Sequence, residues 1–272
     1  MFEPRSLCDS PVASLSQRRP SSLANTRLAQ PSFLSGDEVL ALSVASASRF
    51  IVQSGAELVN ENEPSSAVYF LETGWACQYM ATGDGRRQIS SLLLPGDICN
   101  LDVLLFGQLN CSVRMLTSGS VLTVSRERIA DLAAAHHGIA RAVTWLGALE
   151  NAILTRRTFC LGRLSALERM AHFLCELSVR LGFSDEEGET SFTMPLTQEQ
   201  IADVLGLTPV HVNRMLLQLR TAGLLASTKR TVVISDVAAL RRAGEFQPYY
   251  LHASAPLETS SAKRQLMACD LR

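Results

Sequence analysis

LTQEQIADVLGLTPVHVNRMLLQLRTAGLLASTKRTVVISD, residues 196–236, is the stretch that decides the fold of the C-terminal part of this chain. Thr197 is a helix-capping residue, and Gln200 follows three positions later, as in a capping box. The apolar face of this first short helix is formed by Ile201, Val204 and Leu205. Gly206 then permits a sharp turn, so a short helix that ends at a glycine is predicted here.

A second helix begins directly after that turn. Thr208 supplies the cap, and Pro209 occupies the first helical position, where a missing N–H costs nothing. Its apolar face is formed by residues at four- and three-residue steps, namely Val212, Leu216 and Leu219. A short helix, a turn that holds glycine and a second capped helix predict a helix-turn-helix over about residues 197–219.

The opposite face of the second helix carries side chains suited to reading bases. The helical step of 100° places Val210, Arg214 and Leu217 at the centre of this outward face, with His211 and Gln218 on one edge and Asn213 nearer the other. The N-terminal turns of a recognition helix meet base edges in the major groove. Arg214 is suited to guanine, and Asn213 or Gln218 to adenine.

Beyond the second helix, STKRTVVIS predicts a small hairpin wing with Lys229 and Arg230 at its tip, within reach of the DNA backbone. Thr197, His211 and the N–H groups of the first helix are predicted to contact phosphates. The full predicted DNA-binding set is Thr197, Thr208, Val210, His211, Asn213, Arg214, Gln218, Lys229 and Arg230. The alternative is a packed helical hairpin in an ordinary domain, but exposed Asn and Arg beside a basic wing favour double-stranded DNA as the partner.

Upstream, the pattern is that of β-structure. From Arg49 to about residue 125, short runs rich in Val, Ile, Leu and Tyr alternate with turn signals at Ser54-Gly55, Thr73-Gly74, Gly83-Asp84-Gly85 and Pro95-Gly96-Asp97. This spacing predicts an all-β barrel or roll.

The pattern becomes helical after Ser125. A long helix is predicted from an apolar stripe that comprises Ile139, Val143, Leu146, Leu149, Ile153 and Leu154. Such a helix either crosses a domain core or pairs with a copy of itself. A further helix is predicted from Ser165 to Leu181, where Gly182 stops it.

These patterns predict an α+β chain of more than one domain. The expected parts are a flexible leader (1–30), a β-roll domain (31–135), a long helix (136–161), a winged helix-turn-helix domain (162–245) and a C-terminal tail (246–272).

Bulk composition excludes several classes of protein. The chain has 272 residues and a net charge of −1, so any surface that binds nucleic acid must be local. Its seven cysteines stand singly, which argues against a disulfide framework and a zinc ribbon. No apolar run is long enough for a membrane helix, and the N-terminus lacks the apolar stretch of a signal peptide. We therefore expect a cytoplasmic protein without a membrane partner.

Neither catalysis nor a cofactor is predicted. The sequence offers no Ser/His/Asp arrangement, phosphate loop or paired carboxylates in a pocket context. His172, Cys175 and Glu176 share a helix face with zinc-ligand spacing, but no second ligand cluster completes a site. We therefore expect a protein that is not an enzyme and has no metal or cofactor.

With these elements in this order, residues 35–245 resemble the Crp/Fnr family of bacterial transcription regulators. The specific part is the C-terminal motif, which the β-roll glycines Gly55, Gly74 and Gly96-Asp97 support. The resemblance implies that residues 31–135 are a cyclic-nucleotide-binding-like β-roll with a sensory role and that residues 136–161 are a dimerisation helix. It also implies a homodimer through that helix and an operator with two inverted half-sites. We also expect RNA polymerase as a partner.

The chain departs from the family pattern in the β-roll. Cyclic-AMP-binding members carry a Glu and an Arg-Ser pair in the phosphate cassette, where this chain has Leu101 and Cys111-Ser112. Without that arginine the site lacks the fixed positive charge that would pair with a phosphate. Arg114 does not replace it, because it lies three residues beyond the family's arginine position. Oxygen-sensing members bind an iron–sulfur cluster through N-terminal cysteines, but here only Cys8 lies in the first 76 residues. We expect neither ligand, and the effector stays unknown.

The recognition helix also departs from the pattern. Many members read cytosine with a Glu two residues after the cap, where this chain has Val210. Valine contacts a thymine methyl instead, so the half-site should differ at that base pair. The expected function is sequence-specific regulation without cyclic AMP. Two alternatives stay open: a regulator controlled by a cyclic nucleotide or another small molecule, and a β-roll regulatory module that acts through protein contacts.

Overall fold

The computed structural model of the chain describes residues 22–45, 47–106, 109–183, 188–227 and 230–252. Its order is a short helix, a β-rich unit, two consecutive helices and a C-terminal unit of helices with a small sheet. The predicted α+β class is confirmed, as is the order of β-roll, long helix and winged helix-turn-helix.

The β-roll follows helix α1 (Gly36–Val44) and consists of seven strands: β1 (Ser48–Val52), β2 (Glu57–Val59), β3 (Ala67–Thr73), β4 (Ala76–Ala81), β5 (Arg87–Leu93), β6 (Ser112–Met115) and β7 (Gly119–Ser125). They form two antiparallel sheets with the orders β1-β7-β3 and β2-β6-β4-β5. Apolar side chains from both sheets pack into one core.

Glycines in the left-handed region make the turns of the roll. Gly55, Gly74, Gly85 and Gly96 all have positive φ, a conformation that a side chain strains. Gly74 is also tightly enclosed, because a Cβ there would lie 2.9 Å from the carbonyl oxygen of Ser118. The predicted turn at residues 83–85 connects β4 and β5.

Three helices follow: α2 (Arg126–Ala135), α3 (His137–Arg163) and α4 (Ala166–Arg180). Ser165 and Glu168 form a capping box that starts α4 just after α3 ends. The apolar stripe of α3 was expected either to cross a domain core or to pair with a copy of the helix, and the structure shows that most of it lies in the core. Ile139, Leu146, Leu149 and Ile153 are only 0–6% exposed, because they pack inside the same chain. These four residues of the stripe are therefore not the surface that pairs with a copy, whereas Leu154 is 42% exposed.

The C-terminal unit contains α4, β8 (Thr190–Thr193), α5 (Gln198–Leu205), α6 (Pro209–Thr221), β9 (Leu225–Ser227), β10 (Thr231–Ile234) and α7 (Val237–Ala243). Strands β9 and β10 form the wing, and the sequence interpretation missed β8, which pairs with β10 on its other side. β8 has only four residues, so its pattern gave little signal.

Two predicted boundaries need correction. Residues 22–30, assigned to the leader, form two short 3-10 turns (Leu23–Asn25 and Arg27–Ala29) whose Leu23 and Leu28 are fully buried. Residues 246–252, assigned to the tail, include a buried Phe246 and a 3-10 turn, Pro248–Leu251. Both segments are short, without a sustained apolar period, so their burial is decided by tertiary contacts. The rest of the predicted leader and tail lies outside the described residues.

Within the described ranges, no helix combines the length and apolar character needed to span a membrane.

Candidate nucleic-acid interface

The helix-turn-helix has the local chemistry that its sequence predicts. Thr197 Oγ1 accepts a hydrogen bond from the Gln200 N–H at 3.1 Å, and the Gln200 side chain accepts one from the Thr197 N–H at 2.9 Å. Helix α5 ends at Gly206, whose φ of 62° and ψ of 42° are left-handed. Thr208 then caps α6 by accepting from the His211 N–H. This fixes the start of α6 relative to α5.

Helix α6 is two-faced, as predicted. Val212 and Leu219 are buried, Leu216 is partly buried, and Met215 adds to the inward face. On the other side, Val210 is 79% exposed and Leu217 is 58% exposed. Val210 and Leu217 therefore place exposed apolar side chains on the outward face of α6, where a partner could cover them.

The structure presents the predicted DNA-binding residues at the surface. Exposed among them are Thr197, Thr208, Val210, His211, Asn213, Arg214, Gln218 and Arg230. Lys229, the other predicted wing residue, lies outside the described residues. The wing is anchored at Arg230, whose carbonyl accepts the Met194 N–H at 2.8 Å. The ring Nδ1 of His211 lies 2.8 Å from Thr208 Oγ1.

The β-roll contacts α5, the first helix of the motif, and sequence reasoning did not predict this contact. Arg87 of β5 pairs with Asp203 of α5 at 2.6 Å, and both side chains are 19% exposed. Gln88 Nε2 donates to the Val204 carbonyl at 3.2 Å. Arg87 also neutralises an acid of the predicted DNA-binding segment, so the local excess of positive charge is larger than that segment alone gives. A separation of 116 residues hides this pair from any local pattern.

A second arginine, Arg169 of α4, supports the motif from below. Its Nη1 donates to the Leu205 carbonyl at 2.7 Å. That carbonyl belongs to the last turn of α5, where carbonyl groups lack helical partners and cations are favourable. Helix α5 is therefore held at its C-terminal end by α4 and on its side by the β-roll.

A buried network of charges connects the β-roll, α3 and α4. Asp97, with a side chain 7% exposed, lies 2.9 Å from Arg180 Nη2 and 2.7 Å from Arg27 Nε, the latter as an ion pair rather than an aligned hydrogen bond. Glu176 pairs with Arg157 of α3 at 3.1 Å. Burial alone would raise the pKa of Glu176, but the nearby charges of Arg157 and Arg180 hold that pKa below its usual value. The DNA-binding unit is thus joined to the rest of the chain by ion pairs shielded from water.

The interior of the roll is filled by apolar side chains. Several apolar side chains on the segments around the expected phosphate cassette are 0–9% exposed: Leu101, Val103, Leu109, Val113 and Met115. Arg114 pairs with Glu57 at 2.5 Å. Ser112 Oγ accepts the Glu61 N–H at 3.0 Å. The groups nearest the expected phosphate cassette therefore already have protein partners.

The cysteines of the described residues are free thiols, namely Cys77, Cys99, Cys111, Cys160 and Cys175. Burial raises the pKa of each, for example to about 11 for Cys111 and Cys160. Protonated thiols are poor nucleophiles, so the electrostatics do not favour a redox-reactive cysteine among them.

The His172, Cys175 and Glu176 trio faces the interior. His172 Nδ1 donates to the Gly244 carbonyl at 2.9 Å, and Glu176 is engaged by arginine. In the part of the chain that the structure describes, no group of three or more His, Cys, Asp or Glu side chains is placed to hold a metal ion.

Comparison with known proteins gives the same two units. Residues 49–136 match the family of the cyclic nucleotide-binding domain, and residues 168–243 match the Crp-like helix-turn-helix domain. The chain is 29% identical over 188 residues to the nitrogen fixation regulation protein FixK of Azorhizobium caulinodans, covering 69% of this chain and 75% of the relative. It is 27% identical over 192 residues to the anaerobic regulatory protein of Pasteurella multocida, covering 70% and 69%.

The solved structure of FixK2 from Bradyrhizobium japonicum is similar to this chain with a TM-score of 0.64 and 32% identity, covering 72% of this chain and 96% of that one. Sequence motif, fold and relatives agree on one assignment. The chain belongs to the Crp/Fnr family of DNA-binding transcription regulators.

Proposed function

We propose that the protein is a homodimer that reads an inverted-repeat operator with α6 and does so without cyclic AMP. The observation that carries the proposal is the capped helix α6 with its outward face free of intrachain packing. Asn213, Arg214 and Gln218 are exposed on that face, within the part of a recognition helix that meets base edges.

Each side chain of the interface has a role set by its chemistry. Arg214 reads guanine through O6 and N7, and Asn213 or Gln218 reads adenine. Val210 contacts a thymine methyl. The remaining members of the predicted set contact phosphates, with Thr197, Thr208 and His211 at the helix starts and Lys229 and Arg230 on the wing.

The dimer forms through the face of α3 that the chain leaves exposed. Small or polar side chains lie along it at three- and four-residue steps: Thr144, Ala148, Asn151, Thr155 and Thr158. Leu154 and Phe159 flank this line and are 42% and 47% exposed. Two copies packed about a twofold axis would cover these apolar residues and place two recognition helices on one side.

Effector binding in the phosphate cassette is not needed for this function. The described interior of the roll is filled by leucine, valine and methionine, and the family's arginine position holds Cys111. A cyclic phosphate there would lack the paired arginine of the cyclic-AMP-binding members. As a DNA-binding regulator it acts in the cytoplasm, with RNA polymerase as the further partner.

Binding-site selection from a random DNA library tests the proposal. The wild type should enrich an inverted repeat, and Arg214→Ala should lose preference at the guanine position at a cost of about 1–3 kcal/mol. Arg128→Ala is the matched control, because Arg128 is exposed on α2, outside the helix-turn-helix. Enrichment of the same repeat by Arg214→Ala would refute the assigned reader.

The dimer surface is tested separately by sedimentation. Ala148→Glu places two like charges near the twofold axis and should yield monomers, while Ala133→Glu on α2 should not. Retention of a stable dimer by Ala148→Glu would refute the assigned face of α3.

A further inference from the structure

The last described residues form a strap, which we define as residues 246–251. Phe246 and Leu251 are 3% and 6% exposed, and the 3-10 turn of the strap packs against both α3 and α4. The strap lies beyond residue 243, where the match to the Crp-like helix-turn-helix domain ends. It therefore adds a connection to the DNA-binding unit that the recognised domain does not contain.

Tyr250 is the centre of the strap on the α4 side. Its hydroxyl donates to Glu176 Oε2 at 2.7 Å and lies 3.1 Å from His172 Nε2. The two rings stack at 6.1 Å with an interplanar angle of 18°. Phe246 meets the His172 ring edge-on at 5.1 Å. His172 and Glu176, on one face of α4, thus contact the aromatic rings of Phe246 and Tyr250.

The single hydroxyl proton of Tyr250 faces two buried acceptors, which share it, and Glu176 Oε2 is the nearer of the two. Burial lowers the pKa of His172, so its ring is neutral near pH 7. Because Nδ1 must donate to the carbonyl of Gly244, Nε2 has no proton and accepts. Burial also raises the pKa of Tyr250, which keeps its proton. Without this hydroxyl, His172 Nε2 and Glu176 Oε2 lose the one proton that they share.

Tyr250 also contacts α3. The guanidinium carbon of Arg156 lies 5.2 Å from the ring centroid, within cation–π range. Arg157, the next residue, pairs with the same Glu176 that accepts from Tyr250. One side chain of the strap is therefore in contact with the last turns of α3 and the middle of α4.

The junction that these contacts span is short. Helix α3 ends at Arg163 and α4 begins at Ala166, so Leu164 and Ser165 alone connect the long helix to the DNA-binding unit along the chain. Hinges of this kind consist of a few residues between elements that absorb changes in φ and ψ. The strap adds to the ion pairs, such as Arg157–Glu176, that already connect α3 and α4 across this junction.

We propose that Tyr250 is a positioning residue that fixes the angle between α3 and the DNA-binding unit, and thereby sets how two recognition helices are spaced on an operator. This rests on the proposed dimeric function. A variable angle reduces the effective concentration of the second recognition helix at its half-site once the first is bound. Binding to an isolated half-site needs one recognition helix only, so it does not depend on that angle.

The test compares Tyr250→Ala and Tyr250→Phe with Tyr249→Ala. Tyr249 is the matched control, because it is the neighbouring tyrosine and is 77% exposed. Affinity is measured for the selected inverted repeat and for one half-site. Tyr250→Ala should weaken binding to the repeat about tenfold and leave half-site binding within about twofold. Tyr250→Phe keeps the ring and should show a smaller loss of the same kind.

Hydrogen exchange of residues 160–168, measured without DNA, gives an independent readout. Exchange should rise in Tyr250→Ala and stay unchanged in Tyr249→Ala, because of these two tyrosines it is Tyr250 that contacts both α3 and α4. Equal losses on both DNAs, or unchanged exchange at the junction, would overturn the positioning role. A wild type that binds the repeat no better than a half-site would refute the proposed dimeric reading instead. In that case hydrogen exchange alone would test whether Tyr250 positions α3 relative to the DNA-binding unit.

Discussion

Replacing Asp97 with asparagine removes one charge from the buried network while keeping the shape of the side chain. Asp97 Oδ2 accepts the Leu94 N–H at 2.8 Å, a bond that an amide oxygen can also accept. The change therefore acts mainly on the two arginines. Arg180 has a side chain only 4% exposed, and its next carboxylate, on Glu176, lies 3.7 Å away. Arg27 is 19% exposed and keeps some access to water.

The magnitude follows from the burial of Arg180. Removing one partner of a buried ion pair costs about 3–5 kcal/mol, because the remaining charge stays desolvated. For a protein of this size, 1 kcal/mol lowers the unfolding midpoint by roughly 2–4 °C. We expect Asp97→Asn to lower the Tm on the order of 10 °C.

Thermal unfolding at one fixed protein concentration is the assay, since a dimer's Tm depends on concentration. Asp84→Asn is the control, because the Asp84–Arg86 pair is 62% and 79% exposed and should contribute at most about 1 kcal/mol. In the Asp97→Asn background, Arg180→Met should cost less than in the wild type, because it removes the uncompensated charge. A Tm for Asp97→Asn within about 2 °C of wild type would refute the reasoning.

Four further changes test the interface and the buried groups. Asp203→Asn breaks the partly buried pair with Arg87 and should destabilise the DNA-binding unit by about 1 kcal/mol, seen as faster hydrogen exchange in α5; a double-mutant cycle without coupling would contradict the pair. Because burial lowers the pKa of His172, the free energy of unfolding should fall as the pH drops below about 6.5, the pKa of histidine in the unfolded chain. Equal slopes of Tm against pH in wild type and His172→Gln would disprove this. Burial raises the pKa of Glu150 to about 7, so stability is lost as the pH rises from about 4.5 to 7, and Glu150→Gln should have the higher Tm at pH 8 but not at pH 4.5. Val210→Glu should change the selected base from thymine towards a pair with cytosine; selection of an unchanged half-site would exclude a base contact at this position.

Much of the candidate interface is predictable from sequence because its causes are local. The caps at Thr197 and Thr208, the left-handed turn at Gly206 and the faces of α6 depend on residues within a few positions of one another. Helical period and capping are local physics, so the structure confirms both helices of the motif. The β-roll is predicted for the same reason, from alternating runs and turn glycines such as Gly74.

The sequence by itself determined the class of the protein, the order of its units and the face of α6 that is exposed. Only the tertiary structure decided how that face is held. Arg87 meets Asp203 across 116 residues, Asp97 joins Arg27 to Arg180, and Tyr250 of the presumed tail is seated on α4. The apolar stripe of α3 likewise fits a core or a twofold interface equally well until its neighbours are known. These contacts join residues distant along the chain, and their free energy depends on burial, which only the folded chain defines.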